Sequence, residues 1–396
     1  MKRRDFLQYT GLTSASILVP GFLKAFDYRG LELNGKRLVI VQLSGGNDGL
    51  NTLVPFRNDL YYTARPKIAI PQNEVLKLND DAGFHPALSG FKKLYDEGLM
   101  GIYNSVGYPN PDRSHFRSMD IWHTASNSDE YYTAGWIGRL LDSNCPGSEN
   151  SWYAMEVDDT LSLAMKGQNR SGFAVKDPSK LKQLLNDPFY ANLQVDAQIK
   201  EANTELAFLY KTMASTRAGA EYILDTVQKR SLNSVYPQHE FGKSMKQIAT
   251  LINNGIGSKI FYTGLSGFDT HIRQTESQAR LLQVVGDSIY QFCSDLKASG
   301  NMNDTVIMVF SEFGRRVKQN ASNGTDHGTA NQVYIIGGGL KRHGIYNQMT
   351  DLSMLDNGDL IHTMDFRNIY ATLLDKVIGI NSTEILQRKF DPLDFV

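Results

Sequence analysis

Apolar positions follow two different spacings along this chain, and the spacing changes repeatedly from one segment to the next. Arg37 to Leu43 is a β-branched run that ends near a pair of glycines, which is typical of a buried strand. His85 to Gly98 has apolar residues at helical spacing, and Gly101 to Val106 indicates a second short strand. A strand, a helix and a strand in this order form a βαβ unit, which predicts a parallel sheet.

The same alternation continues through the second half of the chain. It predicts three strands, at Lys259 to Leu265, Thr305 to Phe310 and Gln332 to Ile336. It also predicts two helices, at Thr275 to Ser299 and Phe366 to Ile378. We therefore predict an α/β fold in which a large, mostly parallel sheet is sandwiched by helices. Residues 177–255 are polar, with helical patterns near 197–232 and 240–252, and they predict a helical insertion or cap on that sheet.

The first residues have the order of a targeting signal. Lys2-Arg3-Arg4 precedes an apolar stretch from Tyr9 to Leu23, which is too short and too rich in Thr and Ser to span a bilayer comfortably. A twin-arginine start of this kind predicts a Tat signal peptide over residues 1–26 and export to the periplasm. The remaining domain then covers residues 35–396.

Composition narrows the function classes. The 396 residues include 41 Lys+Arg and 42 Asp+Glu, so no excess of positive charge favours binding to nucleic acid. The two cysteines, Cys145 and Cys293, are far apart and form no CxxC pair, which argues against a redox motif or a cysteine-rich zinc site. Whether the two thiols form a disulfide stays open from the sequence.

Acid and imidazole side chains are concentrated in short loops beside the predicted strands. Six of them are candidate metal ligands: Asp48, Asp269, His271, Glu312, Asp326 and His327. Loops at the carboxyl ends of strands in an open α/β sheet line one crevice, so residues distant in sequence meet there. Such a mixed set is suited to one or two divalent ions, with zinc favoured and magnesium, manganese or calcium as alternatives. The structural alternative is that Asp48 forms a turn that caps the next helix and that Glu312 starts a helix.

One serine stands where a helix is predicted to begin. Ser114 follows Pro111 and Asp112, and a helix N-terminus favours a bound phosphate or sulfate. Ser114 is therefore a candidate nucleophile, activated by a metal. Charge for an anionic ester would come from Arg113, His115 and Arg117 beside the serine, and from Arg315, which follows Glu312. The alternative is that Ser114 only caps the helix.

Several of these segments together resemble one family of exported bacterial proteins. They are the twin-arginine start, GGNDGLNTLVP, the HPAL helix, PDRSHFRSMDIW, GFDTH, SEFGR, DHGTANQVYIIGG and MDFRNIYATLL. The family is domain of unknown function family 1501, which belongs to the alkaline phosphatase and sulfatase-like superfamily. The resemblance implies an alkaline phosphatase-like fold and a site in which Asp48, Asp269, His271 and His327 bind metal and Ser114 is the nucleophile.

The chain also departs from the superfamily pattern. A second Asp-His pair of that pattern falls at Glu312-Phe313, where phenylalanine cannot bind a metal. The sulfatase signature C-x-P-x-R is absent, since Cys145-Pro146-Gly147 does not fit it. We therefore predict an exported, metal-dependent hydrolase of phosphate or sulfate esters, acting on a small molecule or a glycan. The alternatives are a non-catalytic binding or accessory protein and a metal-independent, carbohydrate-modifying esterase that uses Ser114 with His115 or His327.

Overall fold

The computed structural model describes residues 35–143, 150–186, 205–228 and 231–396. The chain divides into two compact units, Met1–Gly35 and Lys36–Val396, and the second contains the fold. The predicted signal peptide at 1–26 and Cys145 lie outside the described residues, whereas Cys293 is a buried free thiol. Of the helices in the described ranges, none has the length and apolar character needed to cross a bilayer.

Short strands alternate with helices from Arg37 onward. The strands are β1 (Arg37–Ser44), β2 (Leu53–Val54), β3 (Leu76–Lys77), β4 (Gly83–Phe84), β5 (Met100–Gly107), β6 (Ala154–Glu156), β7 (Phe173–Ala174), β8 (Ile260–Ser266), β9 (Thr305–Phe310), β10 (Asn331–Gly337), β11 (Gly344–Ile345), β12 (Leu355–Asp356), β13 (Asp359–Leu360) and β14 (Met364–Asp365). The α-helices are α1 (Gly49–Thr52), α2 (Asp59–Ala64), α3 (Ser89–Asp96), α4 (His115–Thr124), α5 (Trp136–Asp142), α6 (Pro178–Asn186), α7 (Glu205–Gln228), α8 (Glu240–Asn253), α9 (Gln274–Ala298), α10 (Phe366–Thr372) and α11 (Ser382–Leu386). A π-helical turn, Leu373–Ile378, extends α10, and two short 3-10 turns lie at Ser151–Tyr153 and Leu163–Met165.

A nine-stranded sheet forms the centre of the domain. Its strands follow the order β11-β5-β10-β9-β1-β8-β6-β7, and β14 pairs with the end of β5. Strand β10 runs antiparallel to both of its neighbours, β5 and β9, and the other pairings in the sheet are parallel. The predicted α/β architecture with a mostly parallel sheet is therefore confirmed. Strands β1 and β5 do run in the same direction, but β9 and β10 lie between them.

Helices cover both faces of this sheet because successive strand residues point to opposite sides. On one face, Val39 and Val41 of β1 share a core with residues of α3, α8 and α9. On the other face, Trp122 of α4 stacks on Phe310 of β9 and on Phe366 of α10, with ring centroids 4.6 and 4.1 Å apart. Burial on both faces explains why the central strands are almost continuously apolar.

The polar segment 177–255 is mostly helical where it is described, apart from the loop at residues 231–239. Helices α7 and α8 fall within the two predicted helical patterns, although residues 187–204 lie outside the described ranges. Helix α8 packs against α9 and β8, and its Met245 and Ile248 belong to the main core. This helix is therefore part of the layer that covers one face of the sheet.

The strand directions bring four loops to one edge of the sheet, and the loop that follows β9 is also the loop that precedes β10. The parallel strands β1, β8 and β9 end there, since Ser44 pairs with Ser266 and Gln42 pairs with Phe310. Strand β5 also ends at this edge, and the antiparallel β10 begins there, because its Asn331 pairs with Val106. The loops that follow β1, β5, β8 and β9 carry all of the predicted site residues.

Candidate metal centre

Three ligand atoms from two loops converge at this edge. The Nε2 atoms of His271 and His327 lie 3.0 Å apart, and each lies 3.1 Å from Oδ1 of Asp269. Ligands of a tetrahedral zinc ion bound at 2.0–2.1 Å are separated by about 3.3 Å. The triangle formed by these three atoms therefore has nearly the size that one zinc ion requires.

The Nδ1 atoms of His271 and His327, which face away from this triangle, also have hydrogen-bond partners. Nδ1 of His327 lies 2.8 Å from the carbonyl oxygen of Arg113, which can only accept, so Nδ1 carries the proton in the neutral ring. Nδ1 of His271 lies 3.2 Å from Oδ1 of Asp326, whose pKa is lowered, chiefly by a hydrogen bond from Asn320. Both neutral rings then present an Nε2 lone pair to the centre, as metal-binding histidines do. Asp326, predicted as a ligand, lies behind His271 instead.

A third histidine faces the same point from the start of α4. Nδ1 of His115 lies 2.9 Å from Oε1 of Glu312, and its Nε2 lies 3.6 Å from Oδ1 of Asp269. Ligand atoms of His115, Asp269 and His327 all lie within 4.8 Å of one another. The hydrogen bond with Glu312 raises the pKa of His115 above its usual value of 6.5, against the opposing effect of burial.

Glu312 was predicted as a metal ligand, but its contacts direct it elsewhere. The side chain is buried, and Oε1 accepts from the backbone N–H of Gly45 at 2.8 Å as well as from His115. Oε2 accepts from the hydroxyl of Ser311 at 3.2 Å. Glu312 therefore orients His115 and contacts none of the three converging atoms.

The glycine pair after β1 allows the loops to approach closely. Gly45 and Gly46 have φ values of +117° and +70°, which side-chain-bearing residues rarely adopt. A Cβ on Gly45 would lie 2.4 Å from the backbone nitrogen of Asp269, and one on Gly46 would lie 2.2 Å from the ring of Phe313. Phe313 stacks beside His115 and His327, with centroids 4.8 and 4.9 Å away.

Arg315 connects these loops through hydrogen bonds from its buried guanidinium. Its Nη2 donates to Oδ1 of Asp269 at 2.6 Å, and its Nε donates to the carbonyl of Gly46 at 2.6 Å. Its Nη1 donates to Thr325, and Nη2 also donates to the carbonyls of Gly45 and Phe268. Burial alone would raise the pKa of Asp269, but Arg315, His327 and His271 together outweigh burial and lower that pKa to about 2.

Asp48 lies apart from the converging atoms. Its Oδ2 accepts from Arg65 at 2.5 Å and from the side-chain amide of Gln274 at 2.5 Å, and its Oδ1 has no hydrogen-bond partner among the described residues. Both partners of the Asp48–Arg65 ion pair are almost fully buried. The ion pair neutralises Asp48, so this geometry does not support the expected contact with a metal. Arg65 and Gln274 were not foreseen, because neither belongs to a local motif.

The remaining predicted residues lie at the rim. Ser114 is exposed at the N-cap of α4, its side chain makes no capping hydrogen bond, and its backbone N–H donates to Asp112 at 2.7 Å. Arg113 is 42% exposed and forms an ion pair with the buried carboxylate of Asp359. The structure thus brings His115, Asp269, His271 and His327 together, with Ser114 and Arg113 beside them.

Two comparisons describe what this chain is similar to. A search of curated proteins by sequence found no match. Among solved structures, the lipoteichoic acid synthase LtaP from Listeria monocytogenes has a TM-score of 0.40 and 12% identity over 89% of this chain and 76% of that one. A sulfatase from Pseudoalteromonas sp. has a TM-score of 0.39 and 13% identity, over 91% and 70% of the two chains. A protein in the alkaline phosphatase superfamily from Vibrio parahaemolyticus has a TM-score of 0.36 and 12% identity, over 89% and 69%.

A third comparison, with protein-family models, covers nearly the whole described domain. The family described as "Protein of unknown function (DUF1501)" matches residues 35–391. This span contains every residue of the candidate site and confirms the resemblance found in the motifs. The chain is therefore a member of the DUF1501 family.

Proposed function

We propose that this protein is an exported hydrolase of phosphate or sulfate esters that depends on one divalent metal ion. The observation that carries the proposal is the triangle of acceptor atoms formed by Asp269, His271 and His327. Two imidazoles and one carboxylate are a usual ligand set for zinc, whereas magnesium and calcium prefer oxygen. A bound zinc ion would supply Lewis acidity and neutralise charge on an ester oxygen.

His115 completes this arrangement as a source of positive charge. Its Nε2 points into the centre and has no hydrogen-bond partner among the described residues. The hydrogen bond to Glu312 raises the pKa of His115 and so favours the protonated form of the ring. The ring is thus suited to donate a hydrogen bond, or a proton, to the oxygen of an anionic ester.

Ser114 is the proposed nucleophile. Its exposed hydroxyl stands at the N-terminus of α4, one residue before His115, where backbone N–H groups favour an anion. The serine oxygen would lose its proton to solvent and bond to phosphorus or sulfur, while the bond to the leaving oxygen breaks and that oxygen takes up a proton from His115 or from water. Water would then hydrolyse the serine ester and restore the hydroxyl.

The two arginines predicted to bind substrate differ in their accessibility. Arg315 is buried, and its Nε and both terminal nitrogens donate within the protein, so it supports the loops and cannot reach a substrate. Arg113 is partly exposed and remains a candidate for contact with the ester. Export through the twin-arginine signal at residues 1–26 is part of the same proposal.

One observation favours the second candidate, a non-catalytic binding or accessory protein. Phe313 follows Glu312 where the superfamily pattern expects a metal-binding histidine, and Asp48 is already paired with Arg65. Within the described part of the chain, the residues that this pattern uses for a second metal are therefore not assembled. A protein that retained the fold and a single metal without ester turnover would have this structure.

The experiment combines metal analysis with ester turnover. The protein, purified without chelator, would be analysed for bound metals and assayed with 4-nitrophenyl phosphate and 4-nitrophenyl sulfate. We expect one equivalent of zinc, turnover that chelation abolishes, and loss of both zinc and turnover in His271→Ala. His343→Ala removes an exposed histidine outside the centre and should change neither.

Each other outcome selects a different function. Zinc without turnover would select the binding protein, and turnover that survives chelation would select the metal-independent esterase. Iron in place of zinc would point away from hydrolysis, because two histidines and one carboxylate also form the site of non-haem iron oxygenases. Full turnover by Ser114→Ala would show that Ser114 is not the nucleophile.

A further inference from the structure

An open cleft lies outside the metal centre, beside helices α5 and α11. It has a volume of about 460 Å³ and is bounded by residues 131–134, the end of α5, residues 168–169 and one side of α11. Binding sites for small ligands typically enclose about 300–1,000 Å³. The cleft is therefore large enough for a ligand of several rings.

Two buried or half-buried charges hold its walls in place. The guanidinium of Arg139 donates to the carbonyls of Ile385 at 2.6 Å, Ala134 at 2.7 Å and Thr124 at 2.7 Å, and so joins three of the surrounding segments. The carboxylate of Asp142 accepts three backbone N–H groups, from residues 168 to 170. Both charges are satisfied within the protein, and the cleft is preformed.

The exposed side chains that face the cleft include an aromatic ring, three amides and one carboxylate. Tyr131 is 77% exposed, and the guanidinium of Arg117 supports its ring at 4.0 Å. Glu384 and Gln387 extend from α11, opposite Gln168 and Asn169, and all four are exposed. None of these four side chains donates or accepts a hydrogen bond with a described residue.

This combination matches the chemistry of a sugar. A side-chain amide both donates and accepts, as a hydroxyl does, and a carboxylate accepts from two hydroxyls at once. A rigid, exposed tyrosine ring offers a flat apolar surface with low entropy cost, suited to the C–H face of a pyranose. The described lining residues include two carboxylates, Asp142 and Glu384, and one cation, Arg139, three of whose N–H groups already donate to backbone carbonyls, so an anionic ligand is disfavoured.

We infer that this cleft binds a neutral oligosaccharide. Binding at the cleft does not depend on ester hydrolysis at the metal centre, because none of the described residues that line the cleft belongs to that centre. If the proposed hydrolase is correct, the cleft would hold a sugar-containing substrate or a nearby glycan. If the protein has no turnover, the cleft would still bind the saccharide.

The test is saccharide binding by the full chain and its variants. The probes are the neutral hexasaccharides cellohexaose, xylohexaose, mannohexaose and chitohexaose, measured by saturation-transfer NMR and calorimetry. We expect at least one to bind, and Tyr131→Ala to weaken its affinity by about tenfold. Glu384→Ala should weaken it as well, since it removes the carboxylate acceptor.

Two controls make the result specific. Phe116→Ala removes an exposed ring, 82% accessible, that does not line the cleft, and should leave affinity unchanged. His271→Ala disrupts the metal centre and should also leave affinity unchanged. The inference is overturned if none of the four saccharides binds, or if His271→Ala abolishes binding while Tyr131→Ala does not.

Discussion

The Nε2 atoms of His271 and His327 lie 3.0 Å apart, a separation at which at most one proton can stand between them. Since Oδ1 of Asp269 lies 3.1 Å from each, three acceptor atoms face one another with too few protons to satisfy them. The guanidinium of Arg315 compensates only the carboxylate. A cation at the centre would satisfy all three, and metal binding should therefore be linked to stability.

Zinc is expected to raise the thermal stability of the protein. A ligand that binds only the folded state stabilises it by about 2.7 kcal/mol when its concentration is a hundredfold above Kd. A melting curve recorded with increasing zinc should show a rising midpoint, and His271→Ala should abolish this rise. His343→Ala, the exposed control, should respond like the unaltered protein. An identical midpoint with zinc and with EDTA would contradict the metal centre.

Asp326→Asn should weaken metal binding without abolishing it. Asp326 contacts Nδ1 of His271, and loss of such a partner typically costs about 10- to 100-fold in metal affinity. Competition with a chromogenic chelator would measure the change. Asp351→Asn, at an exposed turn, is the matched control. Complete loss of metal would instead make Asp326 a direct ligand, as the sequence alone predicted.

Glu312→Gln should change how stability depends on pH. The hydrogen bond with Glu312 raises the pKa of His115 in the folded state above 6.5, so it stabilises the fold fully below pH 6.5. This contribution is lost as the pH rises through the folded-state pKa. In EDTA, the difference in unfolding free energy between the unaltered protein and Glu312→Gln should be largest at acidic pH and smaller at alkaline pH.

Two comparisons check this linkage. In Glu312→Gln, loss of the contacts with Gly45 and Ser311 lowers the free energy of unfolding by the same amount at each pH above neutrality. Only the pH-dependent part of the difference between the two proteins therefore reports on His115. Glu276→Gln, in the first turn of α9, should show no such dependence between pH 6 and 9. A difference that is constant over the whole range would show that Glu312 does not act through His115.

Arg65→Met is expected to be strongly destabilising. Removing one partner of a buried ion pair leaves the other charge uncompensated and costs about 3–5 kcal/mol. Here the variant would leave Asp48 buried and charged, as urea denaturation should show. The double variant Asp48→Asn with Arg65→Met should recover part of the loss. Asp48→Asn alone should keep its metal, and loss of metal in that variant would restore Asp48 as a ligand.

Local patterns predicted the strands and the loops of the site well. The predicted strand Thr305 to Phe310 has the bounds of β9, and Asp269, His271 and His327 do meet, because the ends of parallel strands share one edge. The pattern could not show that β10 runs antiparallel, since strand direction depends on long-range pairing.

The roles of the individual carboxylates depend on contacts that no local sequence motif predicts. Asp48, Glu312 and Asp326 stand in loops as favourable for a ligand as that of Asp269. Their partners Arg65, His115 and His271 decide whether each carboxylate faces the centre, and Arg65 belongs to no motif. The fold places cations and N–H groups beside these carboxylates, and those partners decide which carboxylate is available to bind a metal.

The position of β10 also governs the order in which the site can form. This strand inserts between β9 and β5, and its Tyr334 pairs with Ile102, so the sheet stays divided until the chain beyond residue 330 has been synthesised. His327 enters the centre with this strand, whereas Asp269 and His271 precede it. Contacts of such long range form slowly. A nascent chain would therefore hold only two of the three ligands between residues 271 and 327, and it would acquire tight metal binding only as the two halves of the sheet join.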